Sequence, residues 1–273
     1  MLKNLDRCGV HTITTRPWPI ETIAQRFSAA GVRGITVWRQ AMEARDPRAV
    51  GVMLRDAGLE IVSLCRGGFF PATTATGRKA GIDDNLKAID EAAALGAPLI
   101  VLVCGADPGQ PLAESRKQIA DGIAAVAGRA AQAGVKLAIE PLHPMYADTR
   151  SAVNTLGQAN DMCDALSLDN VGVAVDVYHL WWDPRLPTEI VRCGAAGNLY
   201  AFHVCDWRSP TEDLLNDRGL MGEGCIDIPG IRAMVEAAGF TGYNEVEIFS
   251  NRYWAMDQDE FLEMITAVYL KHV

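Results

Sequence analysis

Eight short apolar runs, each followed by a stretch with helical signals, alternate along the whole of this 273-residue chain. The runs are CGVHTIT (8–14), RGITVW (33–38), EIVSLC (60–65), PLIVLVC (98–104), VKLAIEP (135–141), NVGVAVD (170–176), LYAFHV (199–204) and NEVEIF (244–249). Continuous apolar strands of this kind belong to parallel sheets covered on both faces. Between them, IETIAQRFSAAG carries apolar residues at 20, 23, 24 and 27 and stops at Gly31. DPRAVGVMLRDAG opens on an Asp cap with a first-turn proline and stops at Gly58. Stretches 83–96, 113–134 and 227–239 follow the same plan. Four times a helix ends in Ala-Gly and a strand begins within a few residues, a recurring αβ turn. Eight β/α units in this length predict an α/β fold, a closed (β/α)8 TIM barrel, as a single domain over 1–273. A doubly wound open sheet is the competing solution, but no G-x-G-x-x-G follows the first strand.

Charge and cysteine usage narrow the function classes. The 34 acidic against 25 basic side chains leave a net charge of -9. Such a chain is poorly suited to nucleic acid or an anionic membrane surface, yet well suited to holding a cation. The segment MLKNLDRCGVH has no long apolar stretch, so no leader peptide is expected, and no run is long enough to predict a membrane span. Seven scattered cysteines without a CxxC argue against a disulfide framework or zinc ribbon and for a reducing, cytoplasmic setting.

Four residues break the apolar pattern at strand ends: Glu140 in KLAIEP, Asp176 in VGVAVD, His203 in LYAFHV and Glu247 in NEVEIF. A buried, unpaired carboxylate costs several kcal/mol, so such groups pair or hold a metal. Taken singly, each is equally well read as a satisfied polar cap. Taken together, at the ends of strands five to eight, they converge on the C-terminal face of a barrel, where active sites are built. Lysines and arginines that would neutralise them are missing from these strands. Three carboxylates and an imidazole form a hard donor set for one divalent ion, with Mn2+ the first choice and Mg2+, Co2+ or Zn2+ alternatives.

The pieces IEPLHP (139–144), VDVYH (175–179), FHVCDW (202–207), MGEGCIDIP (221–229) and GFTGYNEVEIFS (239–250), with WRQ (38–40) and SLCRGGFF (63–70), resemble the xylose-isomerase-like TIM barrel superfamily. Hydroxypyruvate isomerase, tagatose 3-epimerase and inosose dehydratase are among its members. The resemblance implies that Glu140, Asp176, His203 and Glu247 are metal ligands and that His179 touches substrate. It also implies that Glu140 and Glu247 flank the substrate and exchange a proton beside a carbonyl, with the ion stabilising an enediolate. Isomerase or epimerase action on a small carbohydrate, a ketose or keto-polyol, is the leading expectation. Loss of a β-substituent from the same intermediate, as a dehydratase or β-eliminase, is the alternative. Related barrels form dimers or tetramers, so a homo-oligomer is also expected. Glu245 shares the face of Glu247 by two-residue alternation and competes with it as ligand. One departure is that relatives with H-x-K-D in the seventh strand have lysine where this chain has Cys205.

Four further residues are candidates for substrate contact. Arg66 follows the third strand, His143 follows the fifth, Trp38 ends the second, and Arg208 lies nearest to the basic group that follows the seventh-strand histidine in some epimerases. His11 ends the first strand and is read more readily as a core or rim histidine. The long non-periodic pieces 66–80, 177–189 and 206–227 all follow strands, which puts them on the active face.

Overall fold

The computed structural model describes residues 2–273. Among them, eight parallel strands close a barrel: β1 (Cys8–His11), β2 (Gly34–Trp38), β3 (Glu60–Gly68), β4 (Leu99–Val103), β5 (Lys136–Glu140), β6 (Val171–Asp176), β7 (Leu199–Val204) and a last strand, Asn244–Val246. Between the seventh and the last lies a small antiparallel ribbon of β8 (Asp206–Trp207) and β9 (Arg218–Gly219), so the last barrel strand is β10. β10 pairs with β7 on one side and β1 on the other, which closes the ring.

Helices cover the outside, each with a buried stripe that packs on the strands. Helix Ile20–Ala29 buries Ile20, Ile23, Ala24 and Phe27, and helix Pro47–Asp56 starts where the Asp46 carboxylate accepts from Arg48 N at 3.0 Å. The Ala-Gly stops behave as read. Gly58 and Gly134 take φ of +82° and +69°, and a Cβ at either would meet nothing within 4 Å. The left-handed backbone, not crowding, is what requires glycine there.

Several boundaries differ from the sequence expectation. β1 ends at His11 and β10 at Val246: one further backbone bond follows each, Thr12 N to Thr36 O (2.9 Å) and Glu247 N to Val204 O (3.2 Å), and beyond these a side chain takes over. The Thr14 hydroxyl donates to Val246 O (3.1 Å) and accepts from Ile248 N (3.0 Å). The piece 66–80 is not all loop: β3 runs on to Gly68, and a helix begins at Ala75, capped by the Thr74 hydroxyl. The piece 206–227 contains the β8–β9 ribbon.

The lumen decides where chemistry can sit. Ala138, Ala174 and Ala201, on β5, β6 and β7, pack with Val101 and Leu99 in the barrel interior. Successive side chains on a strand alternate faces, so the next inward residues up these strands are Glu140, Asp176 and His203. Small alanines below leave a floor on which larger polar groups stand. No helix among the described residues is long and apolar enough to cross a membrane.

Candidate metal centre and active site

Strand register assembles the centre. Asp176 pairs with His203, and His203 with Glu245, so three strands present one row of ionisable groups. Glu247 lies one inward step above Glu245. Glu140, Asp176, His203 and Glu247 are all buried, and each offers a ligand atom within 4.8 Å of the others. His203 Nδ1 lies 2.9 Å from Glu140 Oε1.

His11 belongs to this cluster. Its Nδ1 is 2.9 Å from Glu247 Oε1, its Nε2 is 3.3 Å from Glu245 Oε2, and its ring meets His203 edge-on at 4.6 Å. Glu245 stands lower, where it accepts from the Thr36 hydroxyl, itself 3.0 Å from Ser63 Oγ. Of the two candidate strand-ten carboxylates, Glu247 lies with the four-residue group, while Glu245 groups with His11 and His203.

Neutralisation comes from an arginine that the strand sequences do not contain. Arg218, on β9, is buried inside the cluster. Its Nη1 donates to Glu247 Oε2 (2.6 Å) and Asp176 Oδ2 (3.2 Å), and its Nη2 to His179 Nε2 (3.1 Å). The rings of Tyr178 and Phe249 flank the guanidinium at 4.5 and 5.0 Å. Asp206 fixes the ribbon that delivers it, by accepting from the backbone N–H groups of Trp207, Gly222 and Ile226. The 206–227 piece supplies a basic group to this site, but it is Arg218 and not the expected Arg208, which is nearer to His203 in sequence and pairs with Asp217. The available signal was the ionisable residue set in the otherwise uncharged stretch RGLMG.

The electrostatics show a site short of positive charge. Burial disfavours a charged His11, but Glu247 and Glu245 outweigh it and lift the imidazole to about 9. Burial likewise opposes charge on His203, and its contact with Glu140, helped by Glu245, raises it to about 9. Burial works against the Glu247 carboxylate, yet His11 and Arg218 hold it well below the usual range, whereas burial pushes Asp176 up. Burial drives His179 well below its ordinary value, and Arg218 adds to the shift. Arginine can only donate, so His179 Nε2 accepts and the single proton of the neutral ring sits on Nδ1. Among the described residues, that Nδ1 is buried without a hydrogen-bond partner, as are His203 Nε2 and Glu245 Oε1. Converging carboxylates, imidazoles drawn toward the charged form and partnerless buried donor atoms fit a divalent cation.

Trp38, Glu140, His179, Arg218, Glu247 and Phe249 line one small cavity at this end of the barrel, together with Leu142, Tyr146, Arg150 and Leu215. A larger depression on the outer flank is lined by Phe70, Arg78, Gln118 and neighbours, away from the ionisable cluster. Size alone therefore does not locate the chemistry. Trp38 reaches the cluster directly, with Nε1 3.2 Å from His11 Nδ1. Arg66 sits over the Phe69 ring at 4.1 Å, beside the cavity. His143 is spent on its own loop, where Nδ1 accepts from Met145 N and the ring packs on Trp182 and Trp207. Arg208 is turned to Asp217 and does not line the cavity.

Comparison with known proteins bears on the family and the fold. An inosose isomerase of Halalkalibacterium halodurans is 25% identical over 133 residues, which is 48% of this chain and 45% of that protein. A 3-dehydroshikimate dehydratase of Pseudomonas aeruginosa is 31% identical over 257 residues, 88% of this chain but 37% of that protein. The chain thus spans less than half the length of these two curated relatives. The crystal structure of protein SMc04130 from Sinorhizobium meliloti 1021 superposes with a TM-score of 0.95 at 45% identity, covering 98% of this chain and 99% of that one. The IolI protein, crystallised with a bound zinc atom, has the same fold, with a TM-score of 0.84 at 19% identity and coverage of 98% and 99%. The model of the xylose isomerase-like TIM barrel family matches residues 24–267, and this chain belongs to that family.

Proposed function

We propose that this chain moves a proton beside a carbonyl, as a divalent-metal-dependent isomerase or epimerase of a small ketose or keto-polyol. The observation that carries the reading is that Glu140 and Glu247 open onto one cavity from β5 and from the end of β10, with β6 and β7 between them. Two carboxylates on different sides of a bound substrate can act as base and acid in turn. Glu140, Asp176, His203 and Glu247 would hold the ion, with Mn2+ first and Mg2+, Co2+ or Zn2+ also suited; the zinc atom bound by IolI supports the assignment. When bound, the ion supplies Lewis acidity toward a carbonyl and its neighbouring hydroxyl.

The chain's own groups do the rest. One of Glu140 and Glu247 takes the proton from the α-carbon. Return of a proton by the other carboxylate to the opposite face inverts the centre, and return to the adjacent carbon gives the isomer. His179 offers the proton on Nδ1 to a substrate oxygen, and Arg218 orients both His179 and Glu247. Trp38, Phe249, Leu142 and Leu215 make a dry wall that strengthens these interactions.

Elimination is the second reading. It is favoured by the match to 3-dehydroshikimate dehydratase across 88% of this chain. The proton is taken in the same way, and a β-hydroxyl leaves in place of proton return. Metal analysis of the purified protein, followed by solvent-deuterium exchange into a panel of ketoses, separates the two. Exchange without loss of water supports isomerase or epimerase. An enone chromophore supports elimination. Absence of both with stoichiometric metal bound would overturn proton transfer as the activity.

A further inference from the structure

Among the described residues, two arginines beside the cavity have no acidic partner within ion-pair distance. Arg150 lines it with Glu140, His179 and Arg218. Arg66 leaves β3 and lays its guanidinium on Phe69, while Arg150 lies 5.9 Å from the ring of Tyr146. Phe69 packs on the cluster formed by Tyr146, Leu142 and Val103, so both guanidiniums ride on one apolar patch at the mouth. Gly105 locks the two loops together. Its N–H donates to Arg150 O at 2.8 Å, and a Cβ there would come within 2.7 Å of Phe69 Cα.

The nearby acids are taken. Asp84 is held by Arg39 through contacts of 2.8 and 3.0 Å. Glu140 faces His203, and Glu247 faces His11 and Arg218. Burial lowers both Arg66 and Arg150, Arg150 further opposes charge on Arg66, and Arg218 further opposes charge on Arg150. Neither side chain gains a hydrogen bond in return. Each guanidinium carries five donors, and a half-buried one without an acceptor is costly unless a ligand supplies it. Cation–π contact uses a guanidinium face and leaves the edge donors free.

We infer that Arg66 and Arg150 form an anion subsite, which makes the substrate a carbonyl compound bearing a carboxylate or a phosphate away from its reacting carbon. This rests on the proton-transfer reading for the reaction, but not for the subsite itself. Two arms test it on the metal-loaded protein. In the first, solvent-deuterium exchange is followed with D-fructose, 5-keto-D-gluconate and D-fructose 6-phosphate. The expected result is a kcat/KM for one of the anions at least about tenfold above the neutral sugar, the scale of one or two charge-assisted hydrogen bonds. Arg66→Gln and Arg150→Gln should each erode that preference through KM, and Arg129→Gln, paired with Asp90 on the outer surface, should keep it. No exchange into any sugar would sink the proton-transfer reading and leave the decision to the second arm.

In that arm cyclohexanecarboxylate, phenyl phosphate and cyclohexylmethanol are titrated calorimetrically. The ratio of anion to alcohol affinity should fall about tenfold in the double variant, and whichever anion shows the larger fall identifies the group. An unchanged ratio, or an alcohol that binds wild-type protein as well as both anions, overturns the subsite whatever the turnover. Circular dichroism of the single variants separates a lost subsite from a lost fold.

Discussion

Strands β2 and β4 end in Trp38 and Val103, while β5 and β6 end in Glu140 and Asp176. The backbone plan is the same in both halves of the barrel, and the end residues do opposite work. On the β2–β4 side, the Trp38 indole and the Val103 side chain give the cavity an apolar wall. On the β5–β6–β7–β10 side, each of these ionisable groups finds its partner on another strand or loop: His203 against Glu140 across β6, His11 against Glu247, Arg218 against Asp176. Buried charge is tolerable only as such a set, because attraction in a low-dielectric interior must offset desolvation. The apolar half is what keeps the dielectric low.

That contrast can be broken from either side. The largest effect is expected for Glu247→Gln, which keeps shape and removes the carboxylate. Solvent exchange should fall by about 10³-fold or more while circular dichroism stays unchanged; normal exchange would remove Glu247 from the mechanism. Arg218→Met leaves Asp176 and Glu247 without their shared cation, and unfolding in urea with EDTA should show a loss of about 4 kcal/mol. Added Mn2+ should return more stability to this variant than to wild type, and equal gains would show that Arg218 does not neutralise those carboxylates. On the apolar side, Leu102→Ala opens a fully buried space on β4 and should cost about 3 kcal/mol, with metal stoichiometry kept. Loss of metal there would mean that the halves are not separable. His179→Ala should lower kcat/KM about 10²-fold with metal content preserved. A parallel loss of metal would make His179 a ligand.

Much of this was legible because it is local. Apolar runs, Asp caps and Ala-Gly stops are read within a few residues, and they account for the barrel. Glu140, Asp176, His203 and Glu247 were visible because a charge at the end of an apolar strand is conspicuous and two-residue alternation fixes its face. The reading stopped at groups whose role depends on loops. Arg208 is nearer to His203 in sequence, yet it pairs with Asp217, while Arg218 enters the cluster from β9. His11 read as a core or rim residue, because nothing in CGVHTIT shows that β1 lies beside β10.

The sequence by itself determined the eight units, the hard donor set and the face on which it stands, since each follows from short-range periodicity. Only the tertiary structure decided which cation neutralises that set and which arginines are left free at its mouth. Ring closure brings β1 against β10, the Asp206-pinned ribbon carries Arg218 inward, and Gly105 joins the Phe69 turn after β3 to the Arg150 loop. Those are contacts between distant segments, and charge compensation is a property of the space they share.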